Sequence, residues 1–381
     1  MNRQSDAVNA LTRDQFWENH LPATMAMNGS HPTGLDTIPD HHLLFATSGS
    51  SGVPKWIAIS KTALLASAAS VNEHLGVDAQ SVWGLALPPH HVGGFGVVAR
   101  ARSAGCRLEV FARAWDARAF VEWVATGHIT HGSLVPTQVH DLVTTGCRAP
   151  SGLLAIVVGG GELDALVGQK ARDLGWPVLA SYGMTEAASQ IATQPLASLD
   201  APYTSAPITV LPHWRVRTDQ RGCLEISGPA LFSGRVVGGI YHPRIDEWHA
   251  THDRVRILEG GLEPQGRADA VVKIAGELVD PHEVEIQLAG ALQAHGRGIA
   301  IIAIPDDRLG HRLLVAAERN VPQPMLAAAI EAHNASVPRS QRLAEPMRID
   351  ELPRGPLGKI LRSALLEMAA LKPDEGRTQN P

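Results

Sequence analysis

Between Leu43 and about Ser181, short apolar runs alternate with segments of helical periodicity, and this alternation constrains the fold more than any other feature of the chain. "HLLFAT" and "WIAIS" have the length and apolar content of strands, and "KTALLASAASVNEHLG" has helical spacing with small residues for close packing. "VWGLALP", "GFGVVARARSAG", "RLEVF", "DARAFVEWVATG", "GSLVP", "TQVHDLVTT", "LLAIVVGGG" and "DALVGQKARDLG" then repeat strand and helix in turn. Such a pattern implies an α/β layer with mostly parallel strands. Ligands of that architecture bind beyond the carboxyl ends of the strands, where the loops are.

The texture changes after Pro202, where "ITVLP", "WRVRTD" and "CLEISGP" read as short strands of a small β subdomain. It changes again beyond "EPQGRADA". "VVKIAGELVD" reads as a hairpin, "PHEVEIQLAGAL" as a helix begun by Pro281, and "GIAIIAIPD", "RLLVAAE" and "PMLAAAIEAHNAS" as strand, strand and helix. The expected division is therefore a large α/β domain over 1–266 and a small α+β domain over 267–381.

Across 381 residues the formal charge is −5, which leaves no basic footprint for nucleic acid. The three cysteines, Cys106, Cys147 and Cys223, are scattered and form no CxxC pair, as expected in a reducing cytoplasm. No run of about 18 apolar residues occurs, so no membrane-spanning segment is expected.

The chemistry-bearing residues gather in a few stretches. In "ATSGSSGVPK", Gly49 and Gly52 free the backbone to turn its N–H groups toward one point. Thr47, Ser48, Ser50 and Ser51 add hydroxyls and Lys55 adds charge, which together make a phosphate cradle. The spacing is not G-x-x-x-x-G-K-[ST], and a solvated surface loop is the alternative. "VVGGGEL" places Gly159, Gly160 and Gly161 after a strand, where either a flat ligand or a tight turn accounts for them. In "SYGMTEAASQ", Tyr182 can stack on a base, Thr185 can donate to phosphate and Glu186 can hold a hard cation such as Mg2+. A helix N-terminus carrying Thr-Glu is the alternative there. In "HATHDRVRI", His249, His252 and Asp253 lack a further matched metal ligand, and Asp253 better suits the two hydroxyls of a ribose. "LPRGPLGKILR" flanks Lys359 with glycine and proline, as in a loop that presents a lysine.

The order of these motifs, together with "GRADAVVKIAGELVDPHEVE", resembles the adenylate-forming superfamily: acyl-CoA synthetases, nonribosomal adenylation domains and luciferases. The resemblance runs from about residue 43 to 365. "LALPPHHVGGFGVVARA", "HITHGSLVPTQVHDLV" and "SYGMTEAASQIAT" are similar to the o-succinylbenzoate–CoA ligases of menaquinone biosynthesis. The resemblance implies a two-step ligase that uses ATP, Mg2+ and CoA on a small carboxylic acid, and it allows a homodimer. It implies that residues 47–55 hold the β- and γ-phosphates, that Gly159 to Gly161 flank the adenine and acyl pocket, and that Tyr182 stacks on adenine. Thr185 would contact the α-phosphate, Glu186 would bind Mg2+, and Asp253 with Arg267 would take the ribose. Asp269 would be the hinge of the small domain, Lys359 the cation of adenylation, Gly276 part of the pantetheine tunnel and His91 a liner of the acyl pocket. For the second carboxylate of o-succinylbenzoate, Arg100 is the expected cation, with Ser133, Thr137 and Ser189 as polar partners; a surface helix residue is the alternative for Arg100.

Three departures accompany the resemblance. The family carries a longer stretch before its phosphate loop, its aspartate motif reads T-G-D where this chain has Thr251-His252-Asp253, and Trp56 stands where a small residue is usual. Two other functions fit the same residues: an aryl- or amino-acid adenylating enzyme that loads a carrier protein, and a nucleotide-binding regulatory module without catalysis. A phosphotransferase is disfavoured by the missing Walker spacing.

Overall fold

The computed structural model describes residues 8, 10–25, 37–47, 55–268, 271–293, 298–306, 308–355, 358 and 360–370. The chain divides into two compact units, Met1–Thr251 with Val255–Pro264, and His252–Arg254 with Gln265–Pro381.

In the first unit a six-stranded sheet runs in the order Arg107–Val110, Val82–Leu85, His131–Leu134, Ala155–Val158, Val178–Met184, Ser189–Thr193. The first five strands are mutually parallel, and Ser189–Thr193 returns antiparallel beside Val178–Met184. Val82–Leu85, His131–Leu134 and Ala155–Val158 are buried along their whole length, which explains their unbroken apolar or small-residue runs. Helix Val92–Ala104 is buried from Gly94 to Ala101. A Cβ at Gly94 would lie 2.2 Å from the Pro88 carbonyl oxygen, so only glycine lets the first turn of this helix sit against the preceding loop.

"HLLFAT" and "WIAIS" do form strands, but in a separate five-stranded sheet. His42–Thr47 and Lys55–Ser60 are an antiparallel pair, flanked by Ala23–Met25 on one side and by Gly234–Val237 and Ile240–Pro243 on the other. The last hairpin, "GRVV" and "IYHP", has too few apolar residues to stand out in sequence, and pairing with Lys55–Ser60 supplies its order. "ITVLP" forms no strand; Ile208 and Val210 make single bridges to Leu262 and Ala192. "WRVRTD" and "CLEISGP" contribute Arg215–Thr218 and Cys223–Ser227 to a four-stranded sheet with His249–Leu258 and Gly261–Arg267.

In the second unit, Ile299–Asp306, Gly310–Glu318 and Met347–Ile349 form a three-stranded sheet with both faces covered. Ile299, Ile301, Leu313 and Val315 pack with Val284, Leu288 and Leu326 on one face. Ala300, Ile302, Leu314 and Ala316 pack with Leu352 and Leu365 on the other. That double burial is why "GIAIIAIP" is apolar at consecutive positions rather than alternating. No helix among the described residues is long and apolar enough to cross a membrane.

The segment before the first sheet is tied down by a buried cation. Lys61 Nζ donates to the carbonyl oxygens of Phe16, at 2.5 Å, and Asn19, at 2.7 Å. The positive charge thus sits at the carboxyl end of helix Asp14–Glu18, where unsatisfied carbonyls favour it. Phe16 and Trp17 of that helix pack on Phe95, which itself meets Phe45. Burial lowers the Lys61 pKa from its ordinary value. Lys61→Ala is expected to lower stability in urea unfolding by about 2–3 kcal/mol, the worth of hydrogen bonds from a charged donor plus lost packing. Lys170→Ala, on an exposed helix face, should stay within about 0.5 kcal/mol of wild type.

Candidate active site

The site is built where the parallel strands end. Strand Val178–Met184 runs further than "PVLA" suggested, so Tyr182 lies within the strand and not after it. The extension exists because Ser189–Thr193 pairs back onto it, with a bulge at Tyr182/Gly183. A Cβ at Gly183 would be 1.7 Å from the Ser189 carbonyl oxygen, so this crossing admits only glycine. Between the two strands Thr185–Ala187 form one 3-10 turn, in place of the longer helix that Thr-Glu could have opened. Ala188 and Ser189 then take positive φ values of 49° and 113°, and a non-glycine residue at the second is strained backbone.

Around this turn the strand ends converge. Gly159 donates its N–H to the Leu134 carbonyl at 3.2 Å, and a Cβ on it would lie 2.9 Å from Ser181 Oγ. Ser181 Oγ in turn donates to the Val158 carbonyl at 3.0 Å. Gly160 adopts φ 79°, so the triple glycine serves the turn and also keeps side chains out of the space above the strands. Both readings of Gly159, Gly160 and Gly161 are compatible with this geometry. Glu186 is half-buried, accepts through its carbonyl the Phe232 N–H at 2.8 Å, and places its carboxylate 3.5 Å from Arg235 Nη2. Magnesium retains waters and needs only one or two protein carboxylates besides phosphate oxygens, and Glu186 fits that demand.

Thr47 and Lys55 face each other at the end of the antiparallel pair, and Thr47 Oγ1 donates to the Lys55 carbonyl at 3.1 Å. Ser48, Gly49, Ser50, Ser51 and Gly52 lie outside the described residues. Trp56 is turned away from Lys55 by strand alternation and is buried with Leu44, Ala58 and Val236. The bulky residue after the lysine is a core residue.

The most unusual group is Arg100. It is 2% exposed, with Nη1 donating to Ser133 Oγ at 3.1 Å and Nη2 donating to Gln190 Oε1. Its guanidinium also lies 5.2 Å from the Trp83 ring centroid. No carboxylate pairs with it among the described residues. Burial alone pushes its pKa down to about 9, which still leaves it cationic at neutral pH. A Cβ at Gly96 would touch both Arg100 Nη2 and Ser189 Oγ at 3.2 Å, so these two polar groups flank the face that Gly96 leaves bare. Ser133 and Ser189 thus join Arg100, whereas half-buried Thr137, in the first turn of helix Pro136–Thr144, makes no described hydrogen bond to it. The surface-helix reading of Arg100 is overturned by its burial. Gln190 was not singled out in sequence; it is itself buried, as is the rest of strand Ser189–Thr193 beyond Ser189.

His91 occupies the position before helix Val92–Ala104 without a side-chain capping bond, and its ring lies 4.4 Å from that of His90. Nε2 of each is buried without a hydrogen-bond partner among the described residues. Burial, aided by the charge of His91, lowers the His90 pKa to about 4, and burial lowers that of His91. Burial likewise lowers His213 to about 4.

In the second unit Arg267 Nη1 meets Asp253 Oδ1 at 3.0 Å, and the Ala268 N–H donates to the His252 carbonyl at 2.7 Å. The two expected ribose ligands are therefore neighbours. Gly276, with φ 91° after Ala275 at 51°, closes the hairpin between Val272–Ile274 and Glu277–Val279, a turn that demands positive φ at both central residues. Asp269 and Lys359 lie outside the described residues.

The histidines give the fold an acid limit. Their folded pKa values lie below the ordinary 6.5, so between about pH 6.5 and 4 the unfolded chain binds more protons. Stability should therefore be full above pH 6.5 and fall as the solution is acidified toward pH 4. His90→Gln and His213→Gln should each flatten this decline, measured as the urea midpoint against pH; an unchanged slope in both would show that these rings are not buried neutral.

Residues 8–234 match the AMP-binding enzyme family. The chain is 29% identical over 313 residues to the 2-succinylbenzoate–CoA ligase of Escherichia coli K12, covering 77% of this chain and 63% of that protein. It is 28% identical over 394 residues to the probable 2-succinylbenzoate–CoA ligase of Mycobacterium tuberculosis H37Rv, covering 93% and 96% respectively. Among solved structures, wild-type E. coli MenE with a bound m-phenylether-linked analogue of OSB-AMS superposes with a TM-score of 0.67 at 25% identity, over 87% of this chain and 69% of that one. The Bacillus subtilis o-succinylbenzoate CoA synthetase MenE, in complex with ATP and magnesium, shares the fold with a TM-score of 0.70 at 23% identity, over 85% and 69%. The matched region carries the glycine turn, the Tyr182–Glu186 strand end and the buried arginine just described, and the chain belongs to the AMP-binding enzyme family.

Proposed function

We propose that this chain is an ATP-dependent, AMP-forming acid–thiol ligase that converts o-succinylbenzoate to its CoA thioester. The observation that carries the reading is Arg100, a buried cation beside Ser133 and Ser189 with no carboxylate partner among the described residues. Leaving a charge buried and unpaired costs several kcal/mol, so the arrangement makes physical sense if a ligand brings the anion. o-Succinylbenzoate has two carboxylates, and the aromatic one answers that need while the aliphatic one reacts. Similarity to ligases named for this acid supports the same choice.

A carboxylate is a poor electrophile, and transfer to the α-phosphorus of ATP turns it into a mixed anhydride with AMP as leaving group. Glu186 would hold Mg2+, which would supply neutralisation of the phosphate charge. In this reading Thr47 and the 48–52 loop with Lys55 hold the β- and γ-phosphates, Thr185 donates to the α-phosphate, and Tyr182 and Gly159 to Gly161 bound the adenine and acyl space. Asp253 and Arg267 take the ribose, and His91, neutral at working pH, lines the acyl pocket. Lys359 neutralises charge during adenylation. The CoA sulfur then attacks the acyl carbon and AMP departs, with Gly276 along the pantetheine path and Asp269 as the pivot between the two steps. A cytoplasmic setting and a homodimer belong to the same reading.

Incubation with ATP, Mg2+ and a panel of acids should give AMP and pyrophosphate, fastest with o-succinylbenzoate, and a thioester when CoA is added. ADP and orthophosphate as main products would sink the reading, and a thioester formed on a pantetheinylated carrier but not on CoA would sink the choice of acceptor. Arg100→Met should raise the KM for o-succinylbenzoate by about 100-fold, the worth of a desolvated charge pair, and leave that for ATP within about twofold. A thermal melt of the same variant establishes that it is folded when assayed.

Lys359→Ala separates the half-reactions. Adenylation should fall by about 100- to 1,000-fold, as when one preorganised charge is removed from a transition state. Thioester formation from preformed acyl-adenylate should stay near the wild-type rate, and equal loss in both steps would remove Lys359 from this role.

A further inference from the structure

The carboxylate read here as the metal ligand is already held by a cation, Arg235, to which neither the sequence reading nor the family match assigns a role. Arg235 lies on strand Gly234–Val237, opposite Ile57 of strand Lys55–Ser60. Ile57 and Lys55 are two residues apart, and Thr47 pairs with Lys55, so Thr47, Lys55 and Arg235 share one face of the sheet. Trp56 and Val236 take the other face, into the core. Arg235 thus belongs to the same surface as the two ends of the phosphate loop.

From there its Nη2 reaches to 3.5 Å from Glu186 Oε1. The two backbones are locked together by the 2.8 Å hydrogen bond from the Phe232 N–H to the Glu186 carbonyl. The pair itself is loose: the Arg235 side chain is 41% exposed, and a pair of that exposure is worth less than about 1 kcal/mol. Such a bond is easily exchanged. Arg235 also has somewhere to go, because it lines a cavity of about 350 Å³ with Phe232, His242, Arg244, Trp248 and His249. Its guanidinium lies 4.9 Å from the Phe232 ring centroid, and Arg244 lies 5.9 Å from the same ring, so the aromatic face already supports cations in this cavity.

We propose that Arg235 is a positioning residue that stands in for the divalent cation on Glu186 and must be displaced when the cation binds. The proposal rests on the reading of Glu186 as the metal carboxylate. By holding the carboxylate in place, Arg235 keeps the turn Thr185–Ala187 ordered without metal, at the cost of competing with it. Once displaced, the guanidinium is retained on the Phe232 face of the cavity.

The test is Mn2+ titration of the full chain at a fixed concentration of a nonhydrolysable ATP analogue, read by electron paramagnetic resonance of the bound ion. Arg235→Ala should lower the half-saturating Mn2+ concentration by about twofold to fivefold, the range expected on removing a half-exposed competing charge worth up to about 1 kcal/mol. Arg235→Gln, which keeps the stem over Phe232 but not the charge, should behave like Arg235→Ala. An unchanged or raised half-saturation in the alanine variant overturns the proposal, and so does wild-type behaviour of the glutamine variant. Glu186→Gln tests the reading beneath it. If Mn2+ still binds with wild-type affinity in Glu186→Gln, that reading fails and the proposal falls with it. If Mn2+ binding is lost there but unaltered in Arg235→Ala, the proposal alone fails. Thermal melts of all three variants establish that each is folded when titrated.

Discussion

The contact of Gly183 with the Ser189 carbonyl sets the rest of the site. No side chain fits there, since a Cβ would come within 1.7 Å of that oxygen. The approach fixes how Ser189–Thr193 folds back on Val178–Met184, and so fixes which residues occupy the intervening turn. One consequence is that Glu186 sits on a single 3-10 turn tied to Phe232. Another is that Ser189 and Gln190 are delivered to the guanidinium of Arg100. The positive φ of Ser189, costly for a residue with a Cβ, is held by this same crossing.

Arg100 shows the opposite economy. A buried cation is ordinarily matched by a carboxylate, and here it is matched by neutral oxygens of Ser133 and Gln190. Neutral acceptors satisfy N–H groups without cancelling charge, so the field of the guanidinium remains available to an anionic ligand. Asn72 braces the same arginine from behind by donating to its carbonyl at 2.9 Å, while Trp83 Nε1 donates to Asn72 Oδ1 at 3.3 Å. Helix Val92–Ala104, whose Gly94 and Gly96 permit close approach on two sides, is the element that brings these groups together.

Glu186 obeys a different rule. It is paired, but loosely, with an arginine that is 41% exposed and lines a cavity, and a pair of that exposure is worth little. Arg100 and Arg235 therefore differ in kind despite identical chemistry. One is fixed by burial among neutral acceptors, and the other is half-exposed and held by a single long contact. Asp253 and Arg267 in the second unit form a third arrangement, a direct ion pair at 3.0 Å on neighbouring strands.

By itself the sequence determined what depends on short-range periodicity and on the order of motifs. Alternating apolar runs and helical patterns specified the parallel sheet, the apolar run "GIAIIAIPD" specified a strand, and the motif order specified the family, whereas burial of that strand on both faces came from the structure. Arg100, Ser133 and Ser189 were legible as candidates because the motifs around them are. What the tertiary structure alone decided were relations between residues far apart in the chain. That Arg100 is buried, that Gln190 completes its shell and that Trp56 is core all follow from strand register. The hairpin holding Arg235 carries little apolar signal of its own, and its order comes from pairing with a strand some 180 residues earlier, so no local pattern could place that cation beside Glu186. Periodicity is a property of neighbours along the chain, whereas charge compensation and close approach are properties of neighbours in space.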